Sequence, residues 1–197
     1  MSLYIVQLEE MKRDLGLTDP QDDANLSMWM TGLQDRFEDY CHRKFLRSTS
    51  EVEIFDGDTT SLFLRRYPVE TIATVHIDVD QDWDADSLLT SDDYLLNAAR
   101  GALLYGRGTC PWPEGNQHIR VAYTGGYVAA GQAVGDGQTA MPDSLRRAFV
   151  MQMGFEWRNR TNLGKQSASA QGYSINLAPA KFLDEVVASL QKHRRYL

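Results

Sequence analysis

The chain has 197 residues, of which 43% are apolar, so it can form one embellished domain or two small ones with a real hydrophobic core. Its 20 lysine and arginine residues against 27 acidic residues leave a formal net charge of -7, which disfavours binding of the whole molecule to nucleic-acid phosphates. The sequence lacks a signal-peptide pattern and any apolar stretch of roughly 18 residues, so we expect a soluble, non-secreted protein without membrane contact.

Two helices are predicted near the N-terminus. Residues 6–15 have an amphipathic pattern that ends at Gly16, which suits a left-handed helix stop. Residues 22–43 form a longer helix, and Asp22 or Asp23 can accept hydrogen bonds from the amides of its first turn. We expect the two helices to pack through the apolar side of the longer one. That side is formed by Leu26, Trp29, Met30, Leu33, Phe37, Tyr40 and Cys41.

From residue 49 the apolar period changes from helical to two, which predicts strands. Val52 and Ile54 alternate with Glu51 and Glu53, and the turn formers at 56–58 predict a hairpin with the apolar run at 62–64. Further strands are predicted at 74–80, 94–96, 102–105 and 118–123, separated by glycine-containing turns. Residues 49–127 are therefore expected to form an antiparallel sheet unit.

Helical patterns return after a connection rich in alanine, glycine and glutamine at 128–141, which we expect to be flexible. Pro142 suits the first position of a helix that runs to about residue 160. A polar, glycine-containing stretch follows at 161–178, and a last helix is predicted from about residue 179.

The order of these elements predicts a mainly α protein. Its core is a helical bundle of two N-terminal helices, in residues 1–48, and two C-terminal helices, in residues 142–197. The antiparallel β unit of residues 49–127 and the flexible connection of residues 128–141 interrupt this bundle as an insertion.

One acidic series resembles a cation site, because alternate carboxylates can converge on a hard cation. The series is Asp78, Asp80, Asp82, Asp84 and Asp86. A helix-loop-helix calcium loop is excluded, since Trp83 stands where that motif needs glycine and Leu89 where it needs glutamate. We interpret the series as a solvated surface and keep a weak cation site as the alternative.

No catalytic or metal-binding motif is found. The four histidines and two cysteines have no zinc spacing. Cys41 and His42 are adjacent on a helix and point about 100° apart, so we interpret them as a core thiol and a surface imidazole. Ser189 and Lys192 match Ser-x-x-Lys, a short pattern that is common by chance. We predict no catalytic residue, no cofactor and no metal, and hence no enzyme.

Several stretches, taken in order, resemble the head-tail connector (adaptor, or head-completion) family of tailed double-stranded DNA bacteriophages. They are DLGL at 14–17, FEDYCHRKF at 37–45, FDG at 55–57, LFLRRYPVETI at 62–72, VAYTGGY at 121–127, and 141–160 from MPDSLRRA to EWRNR. The resemblance covers nearly the whole chain. Each stretch alone is ordinary helix, turn or strand sequence, and the order and spacing together carry the likeness.

The resemblance implies a structural protein without catalysis. Members of the family form a ring, commonly twelvefold, that docks beneath the portal protein of the DNA-filled head and offers a surface for the stopper or tail-completion protein. The implied partners are therefore the portal protein, a stopper or tail-completion protein, and further copies of the chain. DNA passes through without sequence-specific binding. The implied location is the virion neck, and the host cytoplasm during assembly.

The resemblance also implies two sets of site residues. The C-terminal segment would dock on the portal, and here that segment is Lys192, His193, Arg194, Arg195, Tyr196 and Leu197. Cations at a helix C-terminus have a stabilising role of their own, which is the alternative. The series Asp78 to Asp86 is a hypothetical lining of the ring lumen, where carboxylates repel DNA phosphates.

Two other functions compete with the adaptor. One is another neck or tail-completion protein, a group that usually contains more strands. The other is a small-ligand or cation-binding module. Whether a ring forms in the free protein or only on the portal is left open by the sequence.

Overall fold

The structure, a computed structural model, describes residues 4–160, 167–170, 173–176 and 181–195. The chain divides into a helical unit, formed by Met1–His42 and Met141–Leu197, and a sheet unit, formed by Arg43–Ala140. Within the described residues, no helix combines the length and the apolarity that crossing a membrane would require.

Among its described residues, the helical unit has four α-helices: α1 (Leu8–Leu15), α2 (Asp23–Cys41), α3 (Asp143–Arg158) and α4 (Asp184–Gln191). Gly16 ends α1 with a φ of 71°, as the sequence predicts. A single 3-10 turn, Pro20–Asp22, precedes α2, and the Asp19 carboxylate caps it by accepting the Gln21 amide at 2.9 Å. Pro142 lies one position before α3 and so forms its N-cap.

Aromatic side chains fill the core of the helical unit. Phe37 of α2 meets the rings of Phe149 and Phe182 edge to face, with centroids 5.5 and 5.2 Å apart. Gln152 of α3 is fully buried, and its side-chain oxygen accepts the Leu183 amide at 2.9 Å. This bond fixes the position just before α4, which is why α4 starts at Asp184 rather than near residue 179.

The sheet unit is built from eight strands. Two antiparallel three-stranded sheets, with strand orders β1-β6-β3 and β2-β5-β4, are accompanied by a short parallel pair, β7 and β8. The strands are β1 (Ser48–Phe55), β2 (Leu62–Phe63), β3 (Val69–Ile77), β4 (Tyr94–Asn97), β5 (Ala102–Tyr105), β6 (Ile119–Gly125), β7 (Tyr127–Val128) and β8 (Thr139–Ala140).

The inner faces of the two three-stranded sheets share one hydrophobic core. Val75 and Val121 come from the first sheet, and Leu62 and Leu103 from the second. Trp112 closes this core from a loop, and its indole N–H donates to the Leu103 carbonyl at 3.2 Å. Because the inner faces pack on a common core, the outer faces of the two sheets lie on opposite sides of the unit.

The predicted mainly α fold is wrong, and the protein is a mixed α/β protein. The sheet unit has its own buried core and its own paired sheets, so strands contribute as much to the fold as the helices do. A further antiparallel pair, β9 (Ser167–Ala170) and β10 (Tyr173–Asn176), lies in the stretch that the sequence marks as polar and glycine-containing. Each strand has only four residues, so its alternation, such as that of Tyr173 and Ile175 with Ser174 and Asn176, is too short to predict a strand.

The predicted hairpin between the runs at 52–54 and 62–64 is also wrong. Strand β1 pairs with β6, and β2 pairs with β5. Turn formers at 56–58 predict a change of direction, but the buried faces decide which strands pair.

We expect Phe37→Ala to lower the free energy of unfolding by about 3–5 kcal/mol, because it removes a fully buried ring and its two edge-to-face partners. Urea denaturation followed by helical circular dichroism measures the change. Met28→Ala, on the exposed side of α2, is the matched control and should change stability by less than about 0.5 kcal/mol. Equal effects of the two substitutions would contradict this core assignment.

Candidate functional site

Strand β1 presents its charged residues to the interior and its apolar residues to solvent. Glu51 pairs with Tyr123 of β6 and Glu53 with Val121, both of which are core positions. Side chains alternate along a strand, so Val52 and Ile54 point outward, where they are 47% and 51% exposed. The sequence alternation alone could not tell which of the two sets faces inward.

The two inward carboxylates are satisfied by specific donors. The Tyr123 hydroxyl donates to Glu53, which also accepts the Arg65 amide at 2.8 Å. Glu51 accepts the Arg66 side chain at 2.7 Å, and the Arg66 amide donates to the Tyr123 hydroxyl oxygen at 3.0 Å. Burial raises the pKa of Glu53 above its ordinary value despite these bonds, and burial likewise raises the pKa of Tyr123.

An arginine enclosed by aromatic rings lies at the start of the sheet unit. The Arg43 guanidinium is almost fully buried, and its carbon lies 3.3 Å from the ring centroid of Tyr67, 5.1 Å from that of Tyr127 and 5.2 Å from that of Phe45. It also donates to the Tyr67 carbonyl. Ring faces attract a cation, so these contacts hold the charge where water is excluded.

The Arg43 cage explains part of the family resemblance physically. Arg43 and Phe45 belong to FEDYCHRKF, Tyr67 to LFLRRYPVETI and Tyr127 to VAYTGGY. The fold brings these three stretches together around one guanidinium. Sequence analysis did not assign Arg43 a role, because no local periodicity marks a contact between residues so far apart in the chain.

The acidic series forms a loop rather than a strand face, since β3 ends at Ile77. The Asp78 carboxylate is largely buried and accepts the backbone amides of Asp80, Gln81 and Trp83 at 2.9, 3.1 and 2.6 Å. Asp84 accepts the amides of Asp86 and Ser87 at 3.0 and 3.2 Å. Both carboxylates therefore stabilise turns of the loop, as aspartates do when they accept the amides of the residues that follow them. The side chains of Asp80, Asp82, Asp84 and Asp86 are exposed.

Three of these aspartates could hold a metal ion. Carboxylate oxygens of Asp78, Asp82 and Asp84 lie within 4.8 Å of one another. A hydrogen bond shared with Asp78 and the charge of Asp84 raise the pKa of Asp82. Burial alone would raise the pKa of Asp78, but the donated amides outweigh it and lower that pKa. Both Asp78 oxygens already accept amide N–H groups, which favours loop formation over cation binding.

The described part of the C-terminal segment folds back on the helical unit. The Arg195 amide donates to the Cys41 carbonyl at 2.9 Å, and its side chain is buried. The Arg194 guanidinium carbon lies 5.0 Å from the Tyr40 ring centroid, and His193 is hydrogen bonded to the Ser144 hydroxyl at 3.1 Å. Lys192 is exposed, whereas Tyr196 and Leu197 lie outside the described residues.

The two residue pairs considered for catalysis, Cys41 with His42 and Ser189 with Lys192, lie in the core or at helix ends. Cys41 is fully buried, and its thiol donates to the Leu190 carbonyl at 3.5 Å, as expected for a core thiol. His42 ends α2 with a φ of 53° and is exposed. Ser189 and Lys192 are joined by a backbone bond of the last helical turn. These contacts describe helix ends and core packing.

The sequence model of the head completion protein family matches residues 4–196. A chain in the neck of an empty GTA particle, computed with C6 symmetry, has a TM-score of 0.60 at 13% identity, covering 98% of this chain and 92% of that one. A chain in the neck of the native GTA particle, computed with C12 symmetry, has a TM-score of 0.53 at 15% identity, covering 100% and 98%. A chain in the virion of the native gene transfer agent (GTA) gives 0.54 at 16%, covering 98% and 92%. No curated protein sequence gives a significant match.

At these identities the three structures establish a shared fold, one that occurs in the necks of GTA particles. The family match spans nearly the whole chain, and this protein belongs to the head completion protein family. The predicted family is therefore confirmed, and with it a structural role at the head-tail junction.

We expect Glu53→Gln to change how stability depends on pH. Burial holds the pKa of Glu53 above its ordinary value of 4.5, so its contribution to stability is full below that value and is lost as pH rises through the raised pKa. In Glu53→Gln this loss disappears, and the free energy of unfolding falls less, or rises more, between about pH 4.5 and neutrality. Urea denaturation at several pH values measures it, with exposed Glu114→Gln as control. Parallel curves for Glu53→Gln and wild type would contradict the inward placement.

We expect the melting temperature to be the same with and without millimolar calcium or magnesium, because backbone amides already occupy both Asp78 oxygens. Asp82→Asn should keep or raise the melting temperature, because it removes the repulsion between the Asp82 charge and the charges of Asp78 and Asp84. A thermal shift assay compares Asp82→Asn with wild-type protein, each with and without the cation. A cation-dependent rise that Asp82→Asn abolishes would instead support the cation-binding alternative.

Proposed function

We propose that this protein is a head-tail connector subunit, which forms a ring in the virion neck, docks on the portal and joins the DNA-filled head to the stopper or tail. The observation that carries the proposal is the family match over residues 4–196. The occurrence of the same fold in necks computed with C6 and C12 symmetry supports a ring assembly. The copy number is a matter for measurement.

The proposed role needs no catalysis and no cofactor. Its requirements are a rigid scaffold and faces for neighbouring proteins. The two buried cores and the amide-capped acidic loop supply rigidity. The family name, head completion protein, refers to assembly and supports a structural role.

The proposed portal contact lies in the C-terminal segment, residues 192–197. His193, Arg194 and Arg195 contact the helical unit, which anchors the segment. Lys192 is exposed beside them, and Tyr196 and Leu197 follow. An aromatic and an apolar residue next to a cation have the composition of an interface anchor. We infer that Lys192, Tyr196 and Leu197 carry portal contacts while the residues between them set their position.

The acidic loop has a proposed role toward DNA. A chain with a net charge of -7 repels the phosphate backbone, and the exposed Asp80, Asp82, Asp84 and Asp86 concentrate that charge. If the loop borders the channel of the ring, its carboxylates would repel the DNA phosphates. DNA would then pass through without sequence-specific binding. For Asp82 and Asp84, this role and the contact between neighbouring copies proposed below are alternatives.

The portal contact is tested by co-sedimentation with the purified portal ring of the same genome, with bound copies counted per ring. We expect wild-type protein to bind in a number that matches the symmetry of the portal. Lys192→Glu, or removal of Tyr196 and Leu197, should weaken binding by about tenfold or more, because each takes away a proposed portal contact. Lys181→Glu reverses another exposed charge of the same unit and serves as the matched control.

The melting temperature of each variant is measured alongside to show that the fold is kept, because the neighbouring residues 193–195 contact the helical unit. If the wild-type protein and both variants bind the portal equally well, the C-terminal contact is rejected. No binding by folded wild-type protein would reject the portal as partner and favour a neck component further from the head.

A further inference from the structure

The outer face of the first sheet is apolar with an acidic border. Ile54 pairs with Arg120, and Val52 with Ala122, so these side chains share the outer face. The Arg120 guanidinium carbon lies 5.7 Å from the ring centroid of Trp83, which brings the acidic loop over this face. Asp82 and Asp84 flank Trp83 in the chain and are exposed. We call Val52, Ile54, Arg120, Trp83, Asp82 and Asp84 the acidic face, because its two carboxylates outnumber its one guanidinium.

The outer face of the second sheet is apolar with a basic border. Leu62, Leu96 and Leu103 form one row across this sheet and belong to the core, so the neighbouring positions Phe63 and Leu95 point outward. Both side chains are more than two-fifths exposed. Arg65, exposed in a bend two residues after Phe63, has its charge close enough to Glu53 to act on that carboxylate, and Arg100 lies in the turn between β4 and β5. We call Phe63, Leu95, Arg65 and Arg100 the basic face.

The other charged groups near the basic face, among them two carboxylates, lie toward the opposite end of the second sheet. Arg107, beyond the end of β5, lies 3.8 Å from Asp92 in an exposed ion pair. Asp93 accepts the amide and hydroxyl of Thr90. The basic border is therefore concentrated at the end of the sheet that carries Phe63 and Arg100.

The two faces lie on opposite sides of one sheet unit, because the inner faces of the sheets share a core. We propose that the acidic face of one copy docks on the basic face of the next, head to tail around the ring. A contact between two different surfaces of the same chain is heterologous and closes into a ring when the rotation fits. This proposal rests on the ring assembly proposed above and names its subunit contact.

A second copy is the favoured occupant because the chain itself carries both halves of a complementary pair. Copies with a net charge of -7 repel each other at long range, so a stable contact must bring unlike charges together. The exposed apolar centres of both faces gain stability when they leave water. Opposed charges at the border also set the register and disfavour a contact between like faces.

Cross-linking tests the contact. In a Cys110→Ser background, which removes the exposed native thiol, Ile54→Cys and Phe63→Cys are combined in one chain and treated with a short bismaleimide, with and without the portal ring. Neighbouring copies would then be joined in series, and denaturing gels should show a ladder of multimers. A mixture of the two single variants should stop at dimers, because each chain offers one thiol.

The matched control combines Phe63→Cys with Val134→Cys, whose side chain has an exposure close to that of Ile54 and lies outside both sheets. This pair should give no ladder. A ladder with the test pair and none with the control supports the head-to-tail contact. Portal binding without a ladder overturns the contact and leaves the proposed function standing. A ladder in free protein that does not bind the portal supports the contact and overturns portal docking, and the absence of both overturns both proposals.

A second variant tests the energetics of the same face. Ile54→Asp places a charge at the apolar centre and should weaken ring formation by about tenfold or more, as measured by sedimentation of the assembled protein. Its melting temperature as a monomer should match wild type, because Ile54 is half exposed on an edge strand. Unchanged assembly of Ile54→Asp would overturn the proposal.

Discussion

The inward carboxylates of β1 are the constraint on which the sheet unit depends. A buried glutamate is stable only with donors aimed at it, and here the Tyr123 hydroxyl, the Arg65 amide and the Arg66 guanidinium supply them. With Glu51 and Glu53 facing inward, the pleat turns Val52 and Ile54 toward solvent. One polar network therefore fixes the register of β1 and creates an exposed apolar surface that a partner can cover.

The Arg43 cage makes a similar connection over a longer range. Its three aromatic rings come from separate stretches, and the guanidinium holds them together by attraction to the ring faces and by a bond to the Tyr67 carbonyl. Three of the stretches that carry the family resemblance therefore meet around one guanidinium. In this part of the molecule they encode a packing site.

The helical unit is closed by its C-terminal segment. Gln152 fixes the entry to α4, and the Arg195 amide bonds to the Cys41 carbonyl beyond its end. The residues of the C-terminal basic cluster therefore have different roles. Arg195 is buried and anchors the segment, while Lys192 remains exposed. A run of cations that looks uniform in sequence has different roles, because burial is decided by the neighbouring helices.

The sequence by itself determined the positions of the N-terminal helices, the Gly16 stop, the burial of Cys41 and the family, because each depends on local periodicity or on the order of motifs. It could not determine the α/β class, the partner of β1 or the orientation of its side chains. Those depend on contacts between distant residues, such as Glu53 with Tyr123, which no local pattern encodes. The loop of Asp78 shows the same limit, since alternating aspartates read as a solvated surface until their backbone partners are placed. Tertiary structure decided these features because pairing and burial are properties of the assembled faces.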